Sequence, residues 1–152
     1  MKITTRLFGE IEIEESKIIH FANGIIGFFD CKNFILVHDE EREDKHNISW
    51  LQSIDEPAFA MAVIDPVLIK EDYNPMVDDE LLKSLGELSQ ENTYVLVTVT
   101  IPADIKKLSV NLKAPIVINV DEYKAGQFIV EGDYPIKYAI YDILKAGKRE
   151  GE

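Results

Sequence analysis

Three histidines, His20, His38 and His46, are the first candidates for acid–base chemistry in this 152-residue chain. A helix brings residues three or four positions apart onto one face, and no two of the histidines have that spacing or belong to an HExxH motif. The apolar neighbours Ile19 and Phe21 favour a partly buried, hydrogen-bonded role for His20. The histidines therefore predict no catalytic site.

Motifs that activate a nucleophile or hold a phosphate are missing from the sequence. No serine stands in a GxSxG elbow, and no glycines match GxxxxGK[ST] or GxGxxG. Gly24 and Gly27 are explained by turn formation, and the acidic runs 39–41 and 78–80 lack EF-hand spacing. We expect no enzyme, no cofactor and no metal site. Acid–base catalysis by two carboxylates is the enzymatic alternative that stays open.

The single cysteine, Cys31, has no internal disulfide partner, and its neighbours Phe29 and Phe34 favour a buried, inert thiol. The first 15 residues alternate in polarity and lack the apolar core of a signal peptide. No run approaches the ~18 apolar residues of a membrane span. These features predict a soluble, cytoplasmic protein that does not bind membranes.

The charge of the chain is strongly acidic and unevenly distributed. The 16 basic and 28 acidic residues give a net charge of −12. Residues 1–100 hold 20 acids and 8 bases, whereas residues 101–152 hold 8 of each. A groove for nucleic acid needs a basic stripe, so we expect no direct nucleic-acid binding. The acidic excess has two readings, a solvated surface or a face that meets a basic partner.

Polarity alternates with a period of two along most of the chain, which is typical of half-buried strands. Residues 2–14 predict a β-hairpin that turns at Gly9, with Glu10, Glu12 and Glu14 on its solvated face. The clearest later strand places Val95, Val97, Val99 and Ile101 on one core-facing side. Further strands are predicted at 18–21, 34–37, 50–54, 59–64, 108–112, 116–120 and 127–130, with a turn at 124–126 joining the last two.

Helical patterns are scarce. Asp78 is suited to cap a short helix that continues through leucines up to Leu88, and segment 134–144 fits either a helix or the start of a strand. We predict a mostly β, single domain over residues 1–152 with a frayed tail from about 145. Its fold class is a closed or partly closed antiparallel β-barrel with one or two short helices, because closure removes exposed strand edges.

Four polar residues interrupt apolar runs: Gln52, Ser53, Asn111 and Asn119. Such residues most often satisfy backbone groups at turns and strand ends. The alternative is a polar seam on a binding face.

An ordered set of short segments runs from residue 8 to residue 136. The segments are FGEIEI at 8–13, IHF at 19–21, GIIGF at 24–28, WLQS at 50–53 with Asp55 and Pro57, Phe59, DP at 65–66, VTIP at 99–102, NLKAPIVIN at 111–119 and YPI at 134–136. No single segment is specific, but together and in this order they resemble the bacterial flagellar assembly factor FliW family. The acidic stretch 39–47 and the tail after Lys137 depart from the family pattern, so no role is carried onto them.

The resemblance implies a non-enzymatic regulator with a β-barrel-like fold. FliW proteins bind the translational repressor CsrA, keep it off messages such as that of flagellin, and also bind flagellin itself. Newly made flagellin would then occupy the protein and release CsrA. The expected partners are therefore CsrA and flagellin.

The resemblance transfers no binding residues, so the candidates come from surface chemistry. The glutamates of the hairpin, Glu10, Glu12 and Glu14, are candidates for contacts with a basic partner, and exposed apolar anchors are expected near 24–28 and 67–69. The apolar candidates are Ile25, Phe28, Val67 and Leu68. The alternative function is a small-ligand-binding β-barrel, which a concave apolar cavity would favour and a filled interior would disfavour.

Overall fold

The computed structural model describes residues 1–38 and 48–143. The acidic stretch 39–47, which includes His46, and the predicted frayed tail lie outside these residues. The strands are β1 (Lys2–Thr5), β2 (Gly9–Glu12), β3 (Ile19–Phe21), β4 (Asn33–His38), β5 (Ser49–Ser53), β6 (Ala60–Ile64), β7 (Thr93–Thr100), β8 (Ser109–Val110), β9 (Ile116–Asn119), β10 (Lys124–Gln127) and β11 (Tyr138–Ala139). The helix is α1 (Asp79–Leu82), and single 3-10 turns span Glu15–Lys17, Pro66–Leu68, Lys83–Leu85 and Ile105–Lys107.

Seven strands close into a barrel, which confirms the predicted fold class. The order around it is β7-β6-β5-β4-β3-β10-β9, and β9 pairs back onto β7. All of these pairs are antiparallel except β3 with β10, which is parallel. The barrel is therefore mixed. Parallel neighbours need a long connection, and alternating polarity within a strand does not reveal the direction of its partner.

The barrel interior is filled by apolar side chains, one or more from each barrel strand. Phe21, Phe34, Leu51, Val63 and Ile116 each have 0% of their surface exposed. The rings of Phe21 and Phe34 meet edge to face with centroids 5.2 Å apart. Cys31 belongs to the same cluster and is 8% exposed, which confirms the buried thiol. A filled interior disfavours the ligand-binding barrel.

A second apolar layer covers the outer face of β6 and β7. Val97 and Val99, at 0% and 8% exposure, belong to this layer, so their predicted core position is confirmed. Val95 is only partly buried, and Ile101 is 44% exposed, which contradicts its core assignment. Ile101 follows the last residue of β7, where no covering layer continues. Leu96, on the opposite face, fills the barrel interior.

Two local predictions differ from the observed chain path. Segment 124–126, predicted as a turn, forms most of β10, and the chain turns at 120–123 instead, where Tyr123 adopts a φ of +54°. Residues 128–130, predicted as part of a strand, run beside 113–115, with Phe128 N–H donating to the Pro115 carbonyl at 3.1 Å. Pairing with both β9 and β3 selects residues 124–127 as the strand.

The short helix and the opening hairpin form where the sequence predicts them. The Asp78 carboxylate caps α1 by accepting from Glu80 N–H at 2.9 Å. The helix lasts one turn, since Lys83–Leu85 tightens into a 3-10 turn and Gly86 ends it with a φ of +83°. In the hairpin, β1 and β2 pair Ile3 with Ile11. The ambiguous C-terminal segment begins as the strand β11 and is helical over 141–143.

The four polar residues that interrupt apolar runs form hydrogen bonds with backbone groups, which confirms the first of the two interpretations of them. Asn119, with 0% exposure, donates from Nδ2 to the Leu85 carbonyl at 2.7 Å and accepts from the N–H groups of Asp121 and Glu122. Gln52 Nε2 donates to the carbonyls of Ser53, Pro57 and Phe59. Ser53 Oγ accepts from Glu56 N–H, and Asn111 Oδ1 accepts from Lys113 and Ala114 N–H. These bonds fix the loops around both ends of the barrel.

Candidate partner-binding surfaces

Across residues 1–38 and 48–143, no three His, Cys, Asp or Glu side chains are grouped to hold a metal ion. His20 is exposed, contrary to the predicted partial burial, because it is the outward residue of the three-residue strand β3. Its Nδ1 lies 3.1 Å from Asn33 Oδ1. In the same described ranges, no helix has the length and apolar character to cross a bilayer.

Asp55 holds the start of β4 against the loop after β5. Its Oδ2 accepts from the N–H groups of Lys32 at 2.7 Å and Asn33 at 2.8 Å, and Oδ1 accepts from Asn33 Nδ2 at 3.2 Å. Burial by itself would raise the pKa of Asp55, but these hydrogen bonds and the nearby His20 lower it below its usual 3.8. The carboxylate is therefore a structural acceptor.

We expect Asp55→Asn to destabilise the fold at pH 7 by on the order of 1 kcal/mol, because an amide is a poorer acceptor for two backbone N–H groups. The folded-state pKa is depressed, so this stabilisation is present above the unfolded-state pKa and is lost as pH falls through the folded-state value. Urea denaturation at pH 7 and at pH 3 measures both. An equal loss at the two pH values would contradict the assignment.

The glutamates of the hairpin are exposed, as predicted, but each has a positive neighbour. Glu10 Oε1 lies 3.9 Å from Lys2 Nζ, and Glu12 Oε1 lies 3.3 Å from the terminal ammonium of Met1. Glu14 Oε2 is 3.7 Å from Lys17 Nζ. These ion pairs partly neutralise the face, although exposed pairs of this kind contribute only ~0.2–1 kcal/mol each.

A larger excess of acidic groups gathers at the end of the barrel where β7 begins. The loop 85–92 packs on the turn 119–122, through the Asn119–Leu85 bond and a bond from Val120 N–H to the Asn92 carbonyl. The loop 85–92 and the turn 119–122 contain four exposed acids and no lysine or arginine, and Glu122 Oε1 lies 3.4 Å from the neighbouring Lys124 Nζ. We call this surface the acidic end. Its acids are Glu87, Glu91, Asp121 and Glu122.

The apolar candidates divide between core and surface. Val67 and Leu68 are 50% and 53% exposed on a 3-10 turn that contacts β7. The turn follows β6, whose Ile64 pairs with Val97, so the antiparallel β6 leads it toward the start of β7. At that start, burial and the Asp65 carboxylate raise the pKa of Tyr94. Val67 and Leu68 thus border the acidic end.

Ile25 is buried, contrary to the prediction that it is an exposed apolar anchor. It is 2% exposed and belongs to the interior cluster, because Gly24 turns the chain inward and the Ile25 N–H bonds to the Phe28 carbonyl at 3.3 Å. Phe28 itself is 48% exposed and stacks on Phe59 with ring centroids 4.1 Å apart. Its neighbour Ile26, which sequence reasoning did not select, is 46% exposed.

A groove of about 470 Å³ lies at the other end of β7. The ends of β6 and β7 form one side, and Arg6 and Leu7 of the hairpin connection form part of the rim. Leu7, Ile26 and Ile101 are 43%, 46% and 44% exposed at its edge. The remaining lining residues are Ile25, Trp50, Ala60, Met61, Ala62, Thr98, Val99, Thr100, Asn111 and Gln127. The groove thus presents polar and apolar surface in similar amounts.

Hydrogen bonds hold the rim of this groove in place. Arg6 N–H donates to the Pro57 carbonyl, and Arg6 Nε donates to the Ala58 carbonyl at 3.1 Å. On the other side, Gln127 Oε1 accepts from Ile26 N–H at 3.0 Å while its Nε2 donates to the Ala114 carbonyl at 3.0 Å. The Phe8 ring packs edge to face on Trp50 at 6.2 Å. The groove is therefore largely pre-formed.

Sequence reasoning missed the groove because seven separate segments build it. Its one charged lining residue is Arg6. The alternating polarity of the hairpin already predicts that Arg6 is exposed, so its exposure did not indicate a groove. Ile101 alternates with the core valines of β7 and so resembles a core residue. Ile101 differs from the core valines only in that no apolar layer covers it, and a single sequence does not show this difference.

Comparison with known proteins places the whole chain in one family. The family model described as "FliW protein" matches residues 2–140. A flagellar assembly factor FliW of Lachnospira eligens is 49% identical over 147 residues, which cover 95% of this chain and 97% of the relative. A flagellar assembly factor FliW of Lachnoclostridium phytofermentans is 45% identical over 155 residues, which cover 100% and 99%.

The fold agrees with a solved structure of the same kind. The crystal structure of a flagellar assembly factor FliW superposes with a TM-score of 0.84 at 32% sequence identity. The match covers 93% of this chain and 97% of the solved one. Both the sequence and the barrel are thus shared over nearly the full length.

Proposed function

We propose, on the premise that this chain belongs to the FliW family of flagellar assembly factors, that it is a non-catalytic regulator that switches between two protein partners. It binds the translational repressor CsrA, which keeps CsrA off its target messages, and it binds flagellin. Flagellin that occupies the protein releases CsrA to repress translation. Family membership over residues 2–140 is the observation that carries the proposal.

The charge distribution supports binding of a basic regulator. A repressor that holds RNA needs a basic surface, and the acidic end presents four exposed acids, one of which pairs with Lys124. Val67 and Leu68 border this surface and offer apolar area that an interface needs at its centre. Acidic groups steer a basic partner and also repel RNA that approaches it.

The same charge argues against direct RNA binding by this chain. At a net charge of −12, it lacks the clustered cations whose contacts with phosphates release counterions. Inhibition of CsrA then acts through the protein partner in the cytoplasm, with no cofactor. The filled barrel interior disfavours the alternative of a small ligand held inside the barrel.

A gel-shift experiment with CsrA and a flagellin message tests the proposal. Adding this protein in excess should release most of the RNA from CsrA, and adding flagellin should restore the CsrA–RNA band. The protein alone should not shift the RNA. A direct shift, or RNA release that flagellin leaves unchanged, would contradict the partner switch.

We further expect the variant Glu10→Lys, Glu12→Lys, Glu14→Lys to associate with CsrA several-fold more slowly at low salt, and with weaker salt dependence. The matched control reverses three exposed acids outside both the hairpin and the acidic end, Asp30, Glu131 and Asp133, which changes the net charge equally and should slow association much less. Stopped-flow association rates measure both variants. An unchanged rate for the hairpin variant would show that its glutamates form only a solvated face.

A further inference from the structure

The groove at the end of β7 has unused hydrogen-bond donors beside exposed aliphatic side chains. Arg6 Nε is engaged by the Ala58 carbonyl, but the Arg6 guanidinium forms no ion pair with any carboxylate in the described part of the chain. Asn111 uses Oδ1 for two backbone N–H groups, and its Nδ2 bonds to no group among residues 1–38 and 48–143. Both side chains line the groove.

The Arg6 guanidinium favours a negatively charged group in the groove. Arg6 is the single charged side chain lining the groove, in a chain whose net charge is −12. A guanidinium pairs best with a carboxylate, to which it donates two parallel hydrogen bonds. A free amide N–H₂ such as that of Asn111 suits a backbone carbonyl. The polar part of the groove therefore fits a carboxylate beside a peptide backbone.

The exposed aliphatic residues of the groove favour apolar side chains on the bound segment. Leu7, Ile26 and Ile101 each leave more than two-fifths of their surface to water around the half-buried Trp50. Exposed aliphatic residues around a pre-formed concave surface are typical of sites that take an amphipathic segment. One arginine without further cations does not track a phosphate backbone, so RNA does not fit.

We infer that this groove binds an amphipathic segment of a partner protein, with apolar side chains on Trp50, Ile26 and Ile101 and a carboxylate on Arg6. The site is separate from the acidic end. The seven residue-to-residue steps from Tyr94 to Ile101 span about 23 Å in extended chain, and the two surfaces lie at the opposite ends of β7. The chain thus has one surface for a basic partner and another for an apolar, acidic segment.

The inference rests on the proposed function in taking flagellin as the source of the segment. The probe is the fluorescent peptide that binds most tightly among overlapping peptides covering flagellin, with a second peptide in which its acids are replaced by amides. Binding to the full-length chain is measured by anisotropy. Ile26→Ser, Ile101→Ser and Arg6→Gln should each weaken binding of the first peptide about tenfold.

Matched controls come from exposed residues of the same types elsewhere on the surface. Ile129→Ser and Ile136→Ser change isoleucines that are both 65% exposed and do not line the groove, and Lys106→Gln removes an exposed cation. These variants should bind as the wild type does. Arg6→Gln should lose little further affinity with the amide peptide, because the variant and the amide peptide remove the same ion pair.

The outcomes separate this inference from the proposed function. A wild-type chain that binds neither flagellin nor CsrA overturns the proposed function. A wild-type chain that binds flagellin, with groove variants that bind as tightly as the controls, overturns the groove alone. Groove variants that lose CsrA as strongly as they lose the peptide also overturn the assignment. Thermal melts at the wild-type temperature confirm that the variants are folded.

Discussion

Val97→Asp is expected to unfold the protein at room temperature. Val97 is 0% exposed between the barrel and its outer apolar layer, and it pairs with Ile64, which is also 0% exposed. A carboxylate there has no partner and must either stay charged in an apolar site or take up a proton, at a cost on the order of 5 kcal/mol. Domains of this size have about 5–15 kcal/mol of stability in total.

Circular dichroism melts of the wild type, Val97→Asp and the control Thr100→Asp measure this effect. Thr100 is an exposed residue of the same strand, so the same change there should lower the melting temperature only slightly. The wild type should melt in one transition if residues 1–136 form one cooperative domain. A Val97→Asp protein that melts at the wild-type temperature would contradict the assignment of Val97 to the core.

Gly24→Ala is expected to destabilise the fold by about 2–4 kcal/mol. Gly24 is buried with a φ of +67°, and a Cβ built on it would lie 2.5 Å from the Phe29 carbonyl oxygen. The obstacle is backbone, so no side-chain rotation relieves it. The glycine therefore allows the chain to turn inward and place Ile25 in the core.

Gly27→Ala is the matched control for this prediction. Gly27 lies in the same loop and also has a positive φ, +91°, but a Cβ there would have no heavy atom within 4 Å. Its cost is then the backbone strain alone, about 1 kcal/mol. Urea denaturation gives both free energies of unfolding. Equal losses for the two variants would show that φ alone, rather than the contact with Phe29, accounts for the role of Gly24.

Gly24→Ala should also affect the groove, because the loop that follows Gly24 carries Ile26 to the rim. The hydrogen bond from Ile26 N–H to Gln127 Oε1 holds that loop against β10. We expect Gly24→Ala, under conditions where it remains folded, to bind the flagellin peptide more weakly than Gly27→Ala does.

The sequence by itself determined the family, the β character and the position of most strands. Alternation with a period of two marks a half-buried strand whatever its neighbours are, and it located β1, β2 and the buried valines Val97 and Val99. Local chemistry was equally reliable, since a capping aspartate such as Asp78 acts on backbone groups two residues away. These features depend on residues that are close in the chain.

Only the tertiary structure decided which alternating residues are covered. Ile101 follows the same alternating pattern as Val97 but lies beyond the outer apolar layer. Ile25 lies in a loop whose sequence predicts exposure, but its side chain is in the core. The closure of β9 onto β7, the parallel β3–β10 pair and the acidic end all join segments far apart in sequence. The burial of a residue and the charge of a surface depend on neighbours that are distant in sequence, so the spacing of residues along one strand does not predict them.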